Sequence, residues 1–166
     1  MKITAQEEYG LRCLLQLARM PEGQLVSVKE IAGRESLSSA YVEKLLRLLA
    51  QSGLVHSVRG VKGGYVLNRP ASQIMLGEVV RALGRLESTT HICQSFTGQQ
   101  HVCVHFNNCG IRSVWSGLTT YIQQFLDQTT LGTMLDSEYT VSAQLGKRLG
   151  GIMTTKIKPD KRVTNG

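Results

Sequence analysis

Apolar positions recur along this chain with two periods, and the places where the period changes outline its architecture. Between Ser38 and Gly53, the residues Val42, Leu45, Leu46 and Leu49 follow the i, i+3, i+4, i+7 spacing that paints one face of a helix. Ser38 stands where an N-cap is wanted, its hydroxyl able to accept from an orphan amide of the first turn. Gly53 can take the left-handed backbone that closes a helix. After it the period becomes two. Residues 54–58 and 65–67 predict strands joined by the turn Arg59-Gly60-Val61-Lys62-Gly63-Gly64. The polar face of the helix shows Ala40, Lys44, Arg47 and Gln51, with Tyr41 beside them near its start. A helix with cations on its outer face, followed by a hairpin with Arg59 and Lys62 at its turn, predicts a winged helix-turn-helix. The helix suits a major groove, and the wing suits phosphates or the minor groove alongside.

The helical period appears again upstream. Thr4 and Glu7 have capping-box spacing before Tyr9, Leu11, Leu14, Leu15 and Ala18, with Cys13 and Leu17 widening the apolar surface. Pro21-Glu22-Gly23 ends that helix. Ser27 and Glu30 repeat the box and predict a short helix over residues 28–34, and residues 35–37 make the turn into the reading helix. Downstream of Asn68-Arg69-Pro70 a short helix is expected over residues 76–83, then a polar stretch, 87–109, without period. Ile111, Val114, Trp115, Leu118, Tyr121, Ile122, Phe125 and Leu126 then predict a long amphipathic helix over residues 110–128. A wing module does not need that helix for its core. Pairing with a second copy is the expectation, because groove readers of this size commonly use two-fold symmetry; packing back on the first helix is the alternative. Residues 136–166 show no periodic apolar face and are expected to be largely disordered. The fold class is thus mainly α with a small β-hairpin wing. It divides into a winged helix-turn-helix DNA-binding region (1–70), a loop and long C-terminal dimerisation helix (71–135) and a basic tail (136–166).

Charge supports this division. The net charge of the 166 residues is +7. Residues 1–70 carry ten Lys/Arg against six Asp/Glu, residues 71–135 three against three, and residues 136–166 six against three. The reader half and the tail therefore hold the excess that would displace counterions from phosphates. No apolar run approaches the roughly 20 residues of a membrane span, and the start MKITAQEEYG lacks the apolar core of a signal peptide. A cytoplasmic protein is expected, with its four cysteines not structural disulfides. Nothing favours an enzyme. The glycine-rich turn precedes a strand and not a helix, so no helix N-terminus awaits a phosphate there.

The cysteines form a second constellation. Cys93, Cys103 and Cys109 are spaced C-x9-C-x5-C in a stretch that also holds His91, His101 and His105. Three thiolates beside a helix start can bind a soft metal centre such as an iron–sulphur cluster. A zinc or thiol–disulfide switch, or thiols kept idle, are the other readings of the same residues. Cys13, among Leu11, Leu14 and Leu15, is assigned to the core.

The run Leu37-Ser38-Ser39-Ala40-Tyr41-Val42-Glu43-Lys44-Leu45, the segment Ser52-Gly53-Leu54-Val55, the wing from Arg59 to Tyr65, Ile74-x-Leu76-Gly77-Glu78-Val79-Val80 and the spaced cysteines all point one way. Over residues 1–135 the chain resembles the bacterial winged-helix transcription regulators that include the iron–sulphur-cluster regulator IscR and the nitric-oxide sensor NsrR. The resemblance implies a homodimer on a pseudo-palindromic promoter site in double-stranded DNA, with the long helix as seam and a cluster loop before it. It carries DNA contact onto Ser39, Ala40, Tyr41, Lys44, Arg47 and Arg59, to which the wing reading adds Lys62. Family members often have glutamine at Lys44 and serine at Ala40, and their first cysteine gap is usually shorter than x9. The implied cofactor is an iron–sulphur cluster on Cys93, Cys103 and Cys109, a two-iron form preferred to a four-iron one, sensing iron or cluster supply, redox state or nitric oxide. Arg112 stands where IscR has a histidine ligand. In other relatives an acidic residue of the partner's first helix fills that place, and Glu8 stands there in this chain, with His101 or His105 as alternatives. A cluster-free zinc or thiol-switch regulator is the second reading, and a cytosolic iron–sulphur carrier or redox protein the third.

Overall fold

The computed structural model describes residues 3–60, 62–84 and 103–148. Thr4 caps α1 (Ala5–Ala18) through a complete box: its hydroxyl accepts from the Glu7 amide at 3.2 Å, and the Glu7 carboxylate accepts from the Thr4 amide at 2.7 Å. Ser27 and Glu30 do the same for α2 (Val28–Glu35), at 3.2 and 3.0 Å. This helix runs one residue past expectation. Ser36 closes α2 in the left-handed region at φ 55°, and Leu37 and Ser38 complete the turn into the next helix. Ser38 caps α3 (Ser39–Gln51) from its side chain, and Gly53, at φ 70°, supplies the backbone that a Cβ would strain.

The inner face of α3 is the centre of the core. Val42, Leu45, Leu46 and Leu49 are fully buried against Cys13, Leu14 and Leu17 of α1 and Ile31 and Ala32 of α2. Each large apolar side chain sealed this way contributes about 1.5–3 kcal/mol, which fixes the orientation of the helix's polar face. The hairpin pairs β1 (Val55–Val58) with β2 (Gly64–Leu67) antiparallel, His56 opposite Val66 and Ser57 opposite Tyr65. Val26 adds a bridge on the far side of β2, its amide donating to the Tyr65 carbonyl at 3.0 Å and its carbonyl accepting at 2.9 Å. Gly64 lies against the Val26 backbone with no room for a Cβ. The wing is thereby fastened to the segment between α1 and α2.

After a 3₁₀ turn (Ala71–Gln73), α4 (Leu76–Leu83) spans the predicted residues. The Glu78 carboxylate accepts from the Met75 amide at 2.9 Å and pairs with Arg69 at 2.6 Å; the amide bond first and the guanidinium after it hold its pKa below the usual carboxylate range. The long helix, α5 (Gly110–Asp127), docks on α4 through its C-terminal end. Arg81 pairs with Asp127 at 2.8 Å, and Gly77 faces the same carboxylate without space for a side chain. The chain then folds back: the Leu76 amide donates to the Thr129 carbonyl and the Leu131 amide to the Ile74 carbonyl, both at 2.8 Å, and Leu131 is fully buried. A second 3₁₀ turn (Leu131–Leu135) ends this unit.

Residues 136–148 belong to a second compact unit. Part of it corrects the expectation of disorder, because Glu138–Arg148 is a helix, α6. Its start is organised locally: the Ser137 hydroxyl accepts from the Thr140 amide at 3.3 Å, and Gln144 donates to Asp136 at 3.2 Å. An N-cap serine with Val141 and Leu145 four apart is a helix signal that overall polarity had hidden. Among the described residues, no helix is long and apolar enough to cross a membrane.

Candidate nucleic-acid interface and cysteine loop

Burial of the α3 leucines leaves Ser39, Ala40, Lys44 and Arg47 exposed on one side of that helix. They are not equivalent. The Arg47 guanidinium is held by Glu43, one turn earlier, at 2.6 Å; that hydrogen bond, with the carboxylate's charge, raises its pKa further. Lys44 has no ion pair or hydrogen bond among the described residues. Tyr41 is only half exposed, packing edge-on to Tyr9 of α1 with ring centres 6.1 Å apart. Its ring thus belongs partly to the seam between α1 and α3. Arg59 and Lys62 are exposed on the wing, where Gly60 turns at φ 125°. At the base of the wing, Asn68 donates to the Gly53 carbonyl at 2.7 Å and its Oδ1 meets His56 Nδ1 at 2.5 Å, tying both strands to the end of α3.

Glu8 lies on the exposed face of α1 and pairs with Arg12 at 2.6 Å. Arg12 also approaches Glu35 of α2 at 3.9 Å and lies over the Tyr9 ring, 5.6 Å from its centre. Both i,i+4 pairs, Glu8–Arg12 and Glu43–Arg47, were readable from spacing alone. The reach of Arg12 to α2 was not, because it depends on how two helices cross.

Cys109 is the N-cap of α5, its sulphur accepting from the Arg112 amide at 3.4 Å. Cys103 and Cys109 are half-buried free thiols. Between them the chain turns back on itself, the Phe106 amide donating to the Cys103 carbonyl at 2.9 Å and the Asn108 amide to the His105 carbonyl at 3.2 Å. Arg112 closes the turn: its guanidinium donates to the Phe106 carbonyl and lies 5.6 Å from that ring's centre. Sequence reasoning assigned Arg112 only a missing ligand, whereas its side chain holds the two-cysteine turn. Cys93 and His101 lie outside the described residues, and His105 is exposed in the turn. Among the described residues no three metal-ligating side chains converge. Cys13 is in the core, as expected, and burial first, with the nearby Glu35 charge second, pushes its thiol up to about 12. It is unsuited to thiolate chemistry at neutral pH.

Above Cys109 the apolar stripe of α5 is uncovered. Ile111, Val114, Trp115, Leu118 and Tyr121 are exposed, Val114 by 69% and Leu118 by 46%. A core helix, a reading helix with its polar face outward and a two-strand wing fastened beside it define a winged helix-turn-helix DNA-binding regulator. The chain belongs to the Rrf2 family, whose model, described as an iron-dependent transcriptional regulator, matches residues 3–137. It is 33% identical to the HTH-type transcriptional regulator IscR of Escherichia coli O1:K1 over 138 residues, 83% of this chain and 82% of that protein. Among solved structures it is similar to IscR of T. potens (TM-score 0.64, 32% identity, 81% and 86% of the two chains). It is also similar to CymR, the global cysteine regulator of B. subtilis (TM-score 0.65, 30% identity, 81% and 96%). These relatives are transcriptional regulators, and this chain is a DNA-binding transcriptional regulator of their family.

Proposed function

We propose that this protein acts in the cytoplasm as a homodimer on pseudo-palindromic promoter sites, and that its affinity for them is set by an iron–sulphur cluster held in the cysteine loop. The observation that carries the reading is a juxtaposition. Cys109 caps the same helix whose apolar stripe is uncovered, so a metal centre at the thiols and a second copy at the stripe would bear on one rigid element. The described donors fit such a centre: two free, half-exposed thiols in a short turn braced by Arg112. Cys93, Cys103 and Cys109 would hold it, and Glu8 of the partner subunit would supply the fourth ligand. When bound, the cluster supplies a redox- and nitric-oxide-reactive centre that can be gained or lost. Glu8 is paired through one carboxylate oxygen with Arg12, which also approaches Glu35 of α2, so drawing Glu8 to a metal would pull on that set of charges. This would connect the loop to the reading head and shift the population of DNA-competent dimers.

Anaerobically purified protein is expected to be coloured and to contain iron and sulphide. Cys93→Ala, Cys103→Ala and Cys109→Ala should each remove the visible absorption, and Cys13→Ala should leave it. Glu8→Ala should retain a cluster with an altered spectrum and a weaker link between cluster state and DNA affinity. A colourless protein that binds zinc, or whose DNA binding responds to oxidation and recovers with thiol reductant, would establish the thiol-switch reading instead. If His101→Ala or His105→Ala changes the spectrum and Glu8→Ala does not, the fourth ligand is in the loop and the connection through Arg12 fails.

On the DNA side, Ser39, Ala40, Lys44 and Arg47 would enter the major groove, Tyr41 would contribute from its exposed edge, and Arg59 and Lys62 would meet the backbone. Arg59→Ala is expected to weaken binding about equally at all sequences and to lower the salt dependence by about one counterion. A footprint titration that shows preference relaxed at particular base pairs would place Arg59 in the minor groove instead.

A further inference from the structure

We propose that Lys44 reads guanine, so that each half-site of this protein's operator carries a guanine at the position facing the middle of α3. The inference rests on α3 being the helix that enters the major groove. Three observations lead to it. Lys44 is exposed one turn after Ala40, and the small Ser39 and Ala40 side chains allow the helix start to come close to base edges. The neighbouring carboxylate, Glu43, is already occupied by Arg47 at 2.6 Å. Lys44 is left without an ion pair or hydrogen bond among the described residues.

The base then follows from donor and acceptor chemistry. An ammonium has three donors and no acceptor. It cannot satisfy the amino group that cytosine and adenine present in the major groove. Thymine offers it one acceptor, O4, beside a methyl group. Guanine alone presents two adjacent acceptors, O6 and N7. Arg47 already has one guanidinium nitrogen on Glu43, and Arg59 and Lys62 stand apart on the wing.

The test is selection of bound sequences from a pool with randomised half-sites, using the full-length protein, Lys44→Gln and Lys44→Ala at fixed salt. Neither substitution removes an ion pair or hydrogen bond among the described residues, Lys44 is exposed, and both residues favour helix, so folding should be retained. The parent should select guanine at one position of each half-site. Lys44→Gln should move that position to adenine, because a carboxamide matches the N6/N7 edge, and should leave the other positions as they are. Lys44→Ala should flatten that position alone, with a loss of discrimination of roughly tenfold or more. An unchanged guanine preference in Lys44→Ala would overturn the inference. So would an affinity loss uniform across sequences with the salt slope reduced by about one, which marks a phosphate contact. Ala40→Glu separates this failure from that of the underlying reading. If Ala40→Glu abolishes binding and the Lys44 variants change nothing, only the role of Lys44 falls. If Ala40→Glu also leaves binding intact, α3 does not enter the groove.

Discussion

With Val114 and Leu118 both replaced by aspartate, the protein is expected to sediment as a folded monomer. The two residues lie one turn apart on the stripe of α5, and both are already exposed in the single chain. Carboxylates placed there cost the monomer little, since they remain in water. In a dimer sealed along this stripe they would be buried opposite their own copies. Desolvation of an unpaired carboxylate costs several kcal/mol, and like charges add repulsion. At about 1.4 kcal/mol per factor of ten, a loss of at least a hundredfold in dimer affinity is expected. Binding to a two-half-site promoter fragment should fall with it, whereas circular dichroism and thermal unfolding at low protein concentration should resemble the parent. A stable dimer in sedimentation would put the seam on another surface.

Leu45→Ala is expected to destabilise the protein by about 2–5 kcal/mol, the range for emptying a fully buried leucine site. Leu45 is buried completely on the inner face of α3, between α1 and α2. The neighbours are held by capped helices and cannot easily collapse into the space, so the upper part of that range is the better guide. Thermal unfolding should shift downward by many degrees. DNA affinity measured well below the transition should be nearly unchanged, because no outward group is removed. The opposite pattern is expected of Lys44→Ala, one residue away, which should leave stability intact and alter recognition. If Leu45→Ala unfolded within about 1 kcal/mol of the parent, the inner face of α3 would not be the centre of the core.

The elements that sequence reasoning placed well are those specified by neighbours in the chain. Thr4 with Glu7, Ser27 with Glu30, and Ser38 with Gly53 all appear as caps or stops, because capping is decided within a few residues. α4 matches its expected span for the same reason: its apolar period and the Glu78 cap are both local. The reading helix and wing were therefore legible in the order of residues alone, and with them the outward polar face. The cysteine spacing pointed to thiol chemistry only as an expectation. The geometry of the turn between Cys103 and Cys109 was not legible, because Arg112 reaches back six residues to brace it through a carbonyl and a ring.

By itself, then, the sequence determined the helix caps, the turn into α3, the inner and outer faces of that helix and the cations of the wing. All of these follow from propensity and periodicity over short spans. Tertiary structure decided what depends on elements far apart in the chain. It set Tyr41 edge-on to Tyr9, spread Arg12 between Glu8 and Glu35, and fastened Val26 to the wing. It also folded residues 129–131 back onto α4, so that α5 is pinned at one end and its apolar stripe is left open. A heptad pattern states that a face seeks cover. Whether its own chain supplies that cover depends on where the chain's other surfaces are already spent, and here Arg81 and Gly77 of α4 meet the helix at its last residue, Asp127.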